Sequence, residues 1–205
     1  MPFVRPLIRR PFCAAGVLAI GLVLAGCTST APDPGLSPND ESPATAELLS
    51  AQGLGGLDAA DVIERLESTP VDDRPTDLLA SVQPQALVLT DDRGREAELP
   101  LSGNDVYVSV APFVKQTHDC YYHSLTTCLG ELRRTDVQVT LVDTADGDVL
   151  VDEARQTYDN GFVGLWVPRG IEATLTMEHE GLSGSTTIST TSDDAPTCIT
   201  DLRLS

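Results

Sequence analysis

The segment Thr135–Ala154, TDVQVTLVDTADGDVLVDEA, carries the pattern that decides the fold. Val137, Val139 and Leu141 alternate with polar residues, as in a strand that buries one face. Asp146-Gly147 then favours a tight turn, and a second run rich in valine and leucine follows it. The segment therefore predicts an antiparallel β-hairpin.

The same period of two continues through most of residues 85–205. The other predicted strands surround turns at 92–94, 168–170 and 181–184, or lie in the segments 105–113 and 197–204. Seven or eight short strands separated by turns at this spacing are typical of an antiparallel sandwich or barrel. We therefore expect a β-rich domain over residues 85–205.

Helical patterns precede the strands. The clearest helix begins at Asp58, which can cap it together with Asp61, and it ends before Pro70. The apolar residues of this helix fall at positions i, i+3, i+4 and i+7 and so form one stripe along it. That stripe consists of Ala59, Val62, Ile63 and Leu66.

Two weaker helical segments flank this one. Thr45 can cap a helix that Gly53 closes, and one or two further helical turns fit between Pro75 and Pro84. Helices this short must bury their stripes against the rest of the chain or against a second copy. The predicted class is α+β, with a short helical part at 44–84 followed by an antiparallel β-sandwich or barrel-like domain.

The N-terminus indicates the compartment. Three arginines precede the apolar run Phe12–Gly26, which is shorter than the roughly 20 residues that span a membrane. This pattern is typical of a secretion signal, and LAGC at 24–27 resembles the lipobox of bacterial lipoproteins. The resemblance implies that residues 1–26 are removed and that Cys27 is lipidated, which anchors the protein outside the cytoplasm. Residues 27–43, rich in proline, serine and acids, predict a disordered tether.

The charge excludes several kinds of partner. The whole chain has a net charge of −18, and without the three signal arginines it keeps 10 basic against 31 acidic residues, a net charge of −21. Such a surface repels nucleic acid and anionic lipid. No G-x-S-x-G, H-E-x-x-H or phosphate-binding glycine loop is present, so no common enzyme class is indicated.

Soft donor atoms are concentrated in one stretch, Lys115–Arg133, KQTHDCYYHSLTTCLGELR. After Cys27, the other cysteine, histidine and methionine residues are only Met177, expected in the core, His179, at a strand end, and Cys198. Cys120, Cys128 and Cys198 cannot all pair with one another. Three interpretations stay open: one disulfide with an inert buried cysteine, a thiolate metal site, or a redox-active thiol.

Thiolate and imidazole donors favour Cu(I), with zinc as a competitor. Cys120 and Cys128 are eight positions apart, unlike the two to four of zinc ribbons, which argues against a closed zinc site. The candidate metal ligands are Cys120, Cys128, Cys198, His118 and His123. A thiol pair could also reduce Cu(II), since a disulfide and Cu(I) are the natural products.

The segment HDCYYHSLTTCLGEL, residues 118–132, resembles the signature of the CueP family of bacterial extracytoplasmic copper-binding proteins. Cys198, in APTCITDLRL, matches the distant third cysteine of that family. Residues 56–84 also resemble its helical part, so the likeness spans roughly 46–205.

The resemblance implies a copper-binding role in copper tolerance, with Cys120, Cys128 and Cys198 as the functional residues. It also implies delivery of copper to an extracytoplasmic Cu,Zn superoxide dismutase in some members, and a homodimer built on the helical part. His118 and His123 belong to the same signature. The lipobox cysteine departs from the freely soluble members and favours sequestration at the membrane surface.

Overall fold

A computed structural model describes residues 42–205, which hold two α-helices, a single 3-10 turn at Val71–Asp73 and eleven strands. The helices are α1 (Pro43–Ala51) and α2 (Ala59–Ser68). The strands are β1 (Leu78–Val82), β2 (Ala86–Asp91), β3 (Glu96–Pro100), β4 (Asp105–Val110), β5 (His123–Ser124), β6 (Asp136–Asp143), β7 (Val149–Gln156), β8 (Val163–Pro168), β9 (Glu172–His179), β10 (Leu182–Ser189) and β11 (Cys198–Ile199). The α+β class predicted from the sequence is confirmed.

Helix α2 follows its prediction closely. The Asp58 side chain accepts a 2.9 Å hydrogen bond from the backbone N–H of Asp61, and the helix ends at Ser68, just before Pro70. Every residue of the predicted stripe is buried. The stripe packs into a core shared with strands of the first sheet, so it is covered within the chain.

Helix α1 begins earlier than expected. Ser42 is the N-cap, and its hydroxyl accepts a 3.1 Å hydrogen bond from the N–H of Thr45. The prediction that Thr45 caps this helix was therefore wrong. The helix begins at Pro43, a residue type favoured at the first helical position, so its cap is the residue just before. Gly53 follows the helix at φ 69°, as its predicted closure requires. The tether predicted over 27–43 thus ends in the N-cap and first residue of α1, while the signal sequence, Cys27 and residues 28–41 lie outside the described residues.

The expected helical turns between Pro75 and Pro84 were wrong for residues 78–82, which form β1. Leu78, Ala80 and Val82 are buried, whereas Leu79 is 56% exposed. This alternation has the strand period, and β1 pairs antiparallel with β2 along its whole length. The β-rich part therefore begins at Leu78 and not at 85.

The strands form three sheets. The first has the order β3-β2-β1-β5 and packs against both helices. The second has the order β10-β9-β6-β7, and the third the order β11-β4-β8. Valine side chains of β4 and β8 share one buried cluster with Val137, Val139, Leu141 and Met177. The last two sheets therefore build the sandwich, with the predicted faces inward.

Two strand ends differ from the prediction. Glu180 and Gly181, at φ 49° and 82°, make the turn between β9 and β10, so residues 182–184, expected in the turn, belong to β10. A two-residue turn with both φ values positive matches the twist of the flanking strands. The last strand is only Cys198–Ile199, and it pairs in parallel with β4. No helix within residues 42–205 is long and apolar enough to cross a membrane.

Two leucines on neighbouring strands test this burial pattern. Leu89 of β2 is fully buried, whereas Leu79 of β1 is exposed. We expect Leu89→Ala to lower the free energy of unfolding by about 2–5 kcal/mol, and Leu79→Ala to change it by less than about 0.5 kcal/mol. Urea unfolding followed by circular dichroism measures both, and equal losses would contradict the assigned face of β1.

Candidate metal centre

The two-residue strand β5 fixes the donor-rich segment in place. Val82 and Ser81 of β1 pair with His123 and Ser124, and the N–H of Leu125 donates to the carbonyl of Ala80 at 2.9 Å. His123 thereby lies at the edge of the first sheet, while Cys120 precedes this edge and Cys128 follows it.

The C-terminal strand brings the distant cysteine to the same place. The N–H groups of Thr197 and Cys198 both donate to the carbonyl of Tyr121, at 3.0 and 3.1 Å. The Thr197 hydroxyl donates to the carbonyl of Val82 at 2.6 Å and accepts from the N–H of His123 at 3.1 Å. One buried threonine therefore joins β11, β1 and β5.

The three cysteine sulfurs lie together. Cys120 and Cys198, 78 positions apart, form a disulfide, and Cys128 is a free thiol. The Cys128 Sγ lies 3.5 Å from the Cys120 Sγ, and the N–H of Ser124 points to it at 3.4 Å. The structure therefore shows the oxidised state, with the third sulfur in contact with the disulfide.

The two predicted histidines approach the sulfurs from different sides. His123 is fully buried, and its Nδ1 lies 3.8 Å from the Cys198 Sγ. His118 is half-buried, and its Nε2 is buried without a hydrogen-bond partner among residues 42–205. The Phe162 ring lies near both imidazoles, with centroid distances of 4.5 Å to His123 and 6.3 Å to His118.

Two sets of three donors result. One set is His118, Cys120 and Cys128, and the other is His123, Cys128 and Cys198. Within each set the ligand atoms lie within 4.8 Å of one another, and Cys128 belongs to both. The structure thus brings together all five candidate ligands predicted from the sequence.

The other soft donors stay apart from these two sets. Met177 is fully buried in the sandwich core, as predicted. The Nδ1 of His179, at the end of β9, lies 2.9 Å from the backbone carbonyl of Asp136. Neither residue shares a donor set with the cysteines.

A buried carboxylate, missed from the sequence, completes the centre. Glu67 of α2 is fully buried, and its Oε2 lies 3.0 Å from the Nε2 of His123. Asn160 donates to the Oε1 of Glu67 at 2.6 Å. The available signal was position: Glu67 lies four residues after Ile63 and so extends the apolar face of the helix.

The charges at the centre stabilise one another. Burial lowers the pKa of His123, but the Glu67 carboxylate and the Cys128 sulfur outweigh it and raise the pKa to about 9. Burial raises the pKa of Glu67, yet the facing imidazolium leaves it below its usual value. Burial also raises the pKa of the Cys128 thiol, but the hydrogen bond and positive charge of His123 outweigh it and bring the pKa below its usual value. The geometry therefore favours an imidazolium–thiolate pair.

Arg74 adds a second positive charge beside the sulfur. Its Nη1 donates to the carbonyl of Cys128 at 2.9 Å. Its Nε and Nη2 are buried and find no acceptor among the described residues. A guanidinium held here compensates negative charge on Glu67 and on the thiolate.

An open cavity gives access from solvent. It has a volume of about 510 Å³ and is lined by Cys120, Cys128, His118, Asp119 and Glu131 among others. His123 and Cys198 do not line it. The His118 donor set is therefore the outer one, and the His123 set lies deeper.

The comparisons with known proteins agree with this geometry. Residues 61–203 match the family model described as periplasmic copper-binding protein CueP. The chain belongs to the CueP family. Among solved structures, the crystal structure of S.CueP is similar at 36% sequence identity and a TM-score of 0.72. The match covers 78% of this chain and 96% of that one.

No curated protein sequence gave a significant match. Membership of the CueP family makes this a copper-binding protein of an extracytoplasmic family. All five candidate ligands fall inside the matched residues 61–203. Sulfur and imidazole donors also suit copper by their chemistry.

The disulfide pairing gives a direct test. In a chain of residues 27–205 carrying Cys27→Ser, denaturation without reductant should allow iodoacetamide to label Cys128 alone. Peptide mass spectrometry should then find Cys120 joined to Cys198 and Cys128 carrying the label. Label on Cys198, or a Cys120–Cys128 link, would contradict the observed pairing.

The pKa of the Cys128 thiol can be measured by a pH titration. In the same chain with its disulfide intact, Cys128 is the only thiol, so thiolate absorbance at 240 nm reports on it alone. Because His123 lowers the pKa of Cys128, the absorbance should rise at a lower pH than that of an unperturbed cysteine in a short peptide. His123→Ala should move the midpoint upward, and an unchanged midpoint would show that the imidazole does not stabilise the thiolate.

Proposed function

We propose that this protein captures Cu(I) through the thiolates of Cys120, Cys128 and Cys198, with His118 or His123 supplying a nitrogen. The observation that supports this most is the pair of donor sets that share Cys128. Two or three sulfurs with one imidazole suit the low coordination that Cu(I) accepts. Zinc competes for the same donors, since imidazole and thiolate also bind it.

The redox state of the cysteines then controls how many ligands are available. In the oxidised state the Cys120–Cys198 disulfide leaves Cys128 as the one free thiol among residues 42–205. Reduction by a dithiol adds two electrons and two protons to the disulfide and releases two further thiols. The full set of ligands thus belongs to the reduced protein.

Reduction of Cu(II) is the second candidate function. Each of two thiolates gives one electron to its own Cu(II) ion. Two Cu(II) ions thereby become two Cu(I) ions, and the two sulfurs form one disulfide. The contact of 3.5 Å between the Cys128 sulfur and the disulfide favours this candidate, because Cys128 stays available to bind one of the Cu(I) ions. Reduction and capture can therefore follow one another at the same centre.

The place of action is part of the proposal. A lipid on Cys27 and a tether after it would hold the domain at the extracytoplasmic surface of a bacterial membrane, where captured copper is sequestered or delivered to a cuproenzyme such as Cu,Zn superoxide dismutase. The proposed homodimer uses the helical part. Since the α2 stripe is covered by the first sheet, the dimer contact would use other faces of the helices.

A titration with Cu(I) tests the capture proposal. The reduced mature chain with Cys27→Ser is titrated without oxygen against a competing chelator, alongside single Cys→Ser changes at Cys120, Cys128 and Cys198. Each change should weaken binding by at least about tenfold, or about 1.4 kcal/mol, because each removes a sulfur ligand. Cys128→Ser should have the largest effect, since it belongs to both donor sets.

His179→Ala is a control in the same titration, since His179 lies outside both donor sets. It should leave Cu(I) affinity unchanged. If none of the three Cys→Ser changes weakens binding, the capture proposal fails and the cysteines act as a disulfide staple or a redox pair.

A further inference from the structure

We propose that Glu67 is a positioning residue of the copper centre: its carboxylate holds the Nε2–H of His123, so that Nδ1 is the nitrogen presented to the metal. The inference rests on the proposed copper binding, and it specifies which atom of which histidine binds.

The two nitrogens of His123 face different partners. The Nε2 atom lies 3.0 and 3.2 Å from the two oxygens of Glu67. The Nδ1 atom lies 3.8 Å from the Cys198 sulfur and is the nitrogen on the side of the cysteines. An ionised carboxylate only accepts hydrogen bonds, so Nε2 must carry a hydrogen. Loss of the Nδ1 proton from the imidazolium leaves the single N–H on Nε2 and a lone pair on Nδ1 for the metal.

The carboxylate is itself held on several sides. Asn160 donates to it at 2.6 Å, and the hydroxyls of Ser109 and Tyr107 lie 3.3 and 3.4 Å from its Oε2. Asn160 is held in turn, because its side-chain oxygen accepts a 3.0 Å hydrogen bond from the N–H of Phe162. Glu67, Asn160 and Ser109 are fully buried, so these contacts hold the carboxylate against the imidazole within the core. Carboxylate–histidine–metal arrangements of this kind orient the ligand.

His118 provides the contrast. It lines the open cavity, and its Nε2 meets no partner among residues 42–205. Its ring is therefore not oriented through that nitrogen as the ring of His123 is. The geometry points to His118 as an adaptable outer donor, whereas His123 is a fixed inner one.

A double-mutant cycle separates positioning from general support of the fold. Glu67→Gln, His123→Ala and the double variant are each measured for Cu(I) affinity in the reduced mature chain with Cys27→Ser. Loss of an orienting partner typically costs 10–100-fold in metal affinity, so Glu67→Gln should weaken binding by that amount when His123 is present. In the His123→Ala background the same change should cause no further loss. Glu64→Gln, an exposed carboxylate on the same helix, is the matched control and should have no effect.

A spectroscopic measurement needs no variant and holds even if Glu67→Gln fails to fold. Ag(I) substitutes for Cu(I) in the reduced protein labelled with ¹⁵N at histidine. Long-range ¹H–¹⁵N spectra should show silver bound at Nδ1 of His123 and a proton on Nε2.

The outcomes distinguish this inference from the proposed function. If the metal binds with high affinity but through Nε2, or if Glu67→Gln weakens binding equally in both backgrounds, the positioning inference is wrong and the capture proposal stands. If the reduced wild-type chain binds no Cu(I), both are wrong.

Discussion

The contact between the Glu67 carboxylate and the His123 imidazole joins the helical part of this protein to the donor-rich segment. One partner belongs to helix α2 and the other to β5, and neither side chain is exposed. Removal of one member of such a pair leaves an uncompensated buried charge, which typically costs about 3–5 kcal/mol. The pair therefore holds the helical part, the donor-rich segment and the third sheet in a single arrangement, since Tyr107 and Ser109 of β4 share the same carboxylate.

Around this contact the sulfurs can serve two purposes. As a disulfide, Cys120 and Cys198 link the loop before β5 to the C-terminal strand, and such links persist in extracytoplasmic compartments. As thiolates, the same atoms join Cys128 as copper ligands in the proposed function. The backbone hydrogen bonds of Thr197 and Cys198 to Tyr121 hold the two segments together in addition to the disulfide. Reduction of the bond therefore leaves other contacts to keep the sulfurs close.

The sequence predicts those features that local patterns determine. The strands of the sandwich show a clear period of two, and the soft donors stand out because cysteine and histidine are scarce elsewhere. Strand β1 was missed because it has only five residues and lies between two prolines. Its alternation is too short to distinguish from a helical turn. Glu67 was missed because an acid in a helix is usually solvated, and its burial depends on His123, 56 positions away. The cysteine pairing depends on three-dimensional distance, which spacing along the chain does not encode.

X-ray absorption at the copper K-edge tests the central claim most directly, because it reports the oxidation state and the ligand atoms together. Residues 27–205 with Cys27→Ser, reduced and loaded with one equivalent of copper, should show Cu(I) in a low-coordinate environment dominated by sulfur, with one imidazole. The imidazole contribution should disappear in His123→Ala. An environment of nitrogen and oxygen alone would contradict a thiolate copper centre.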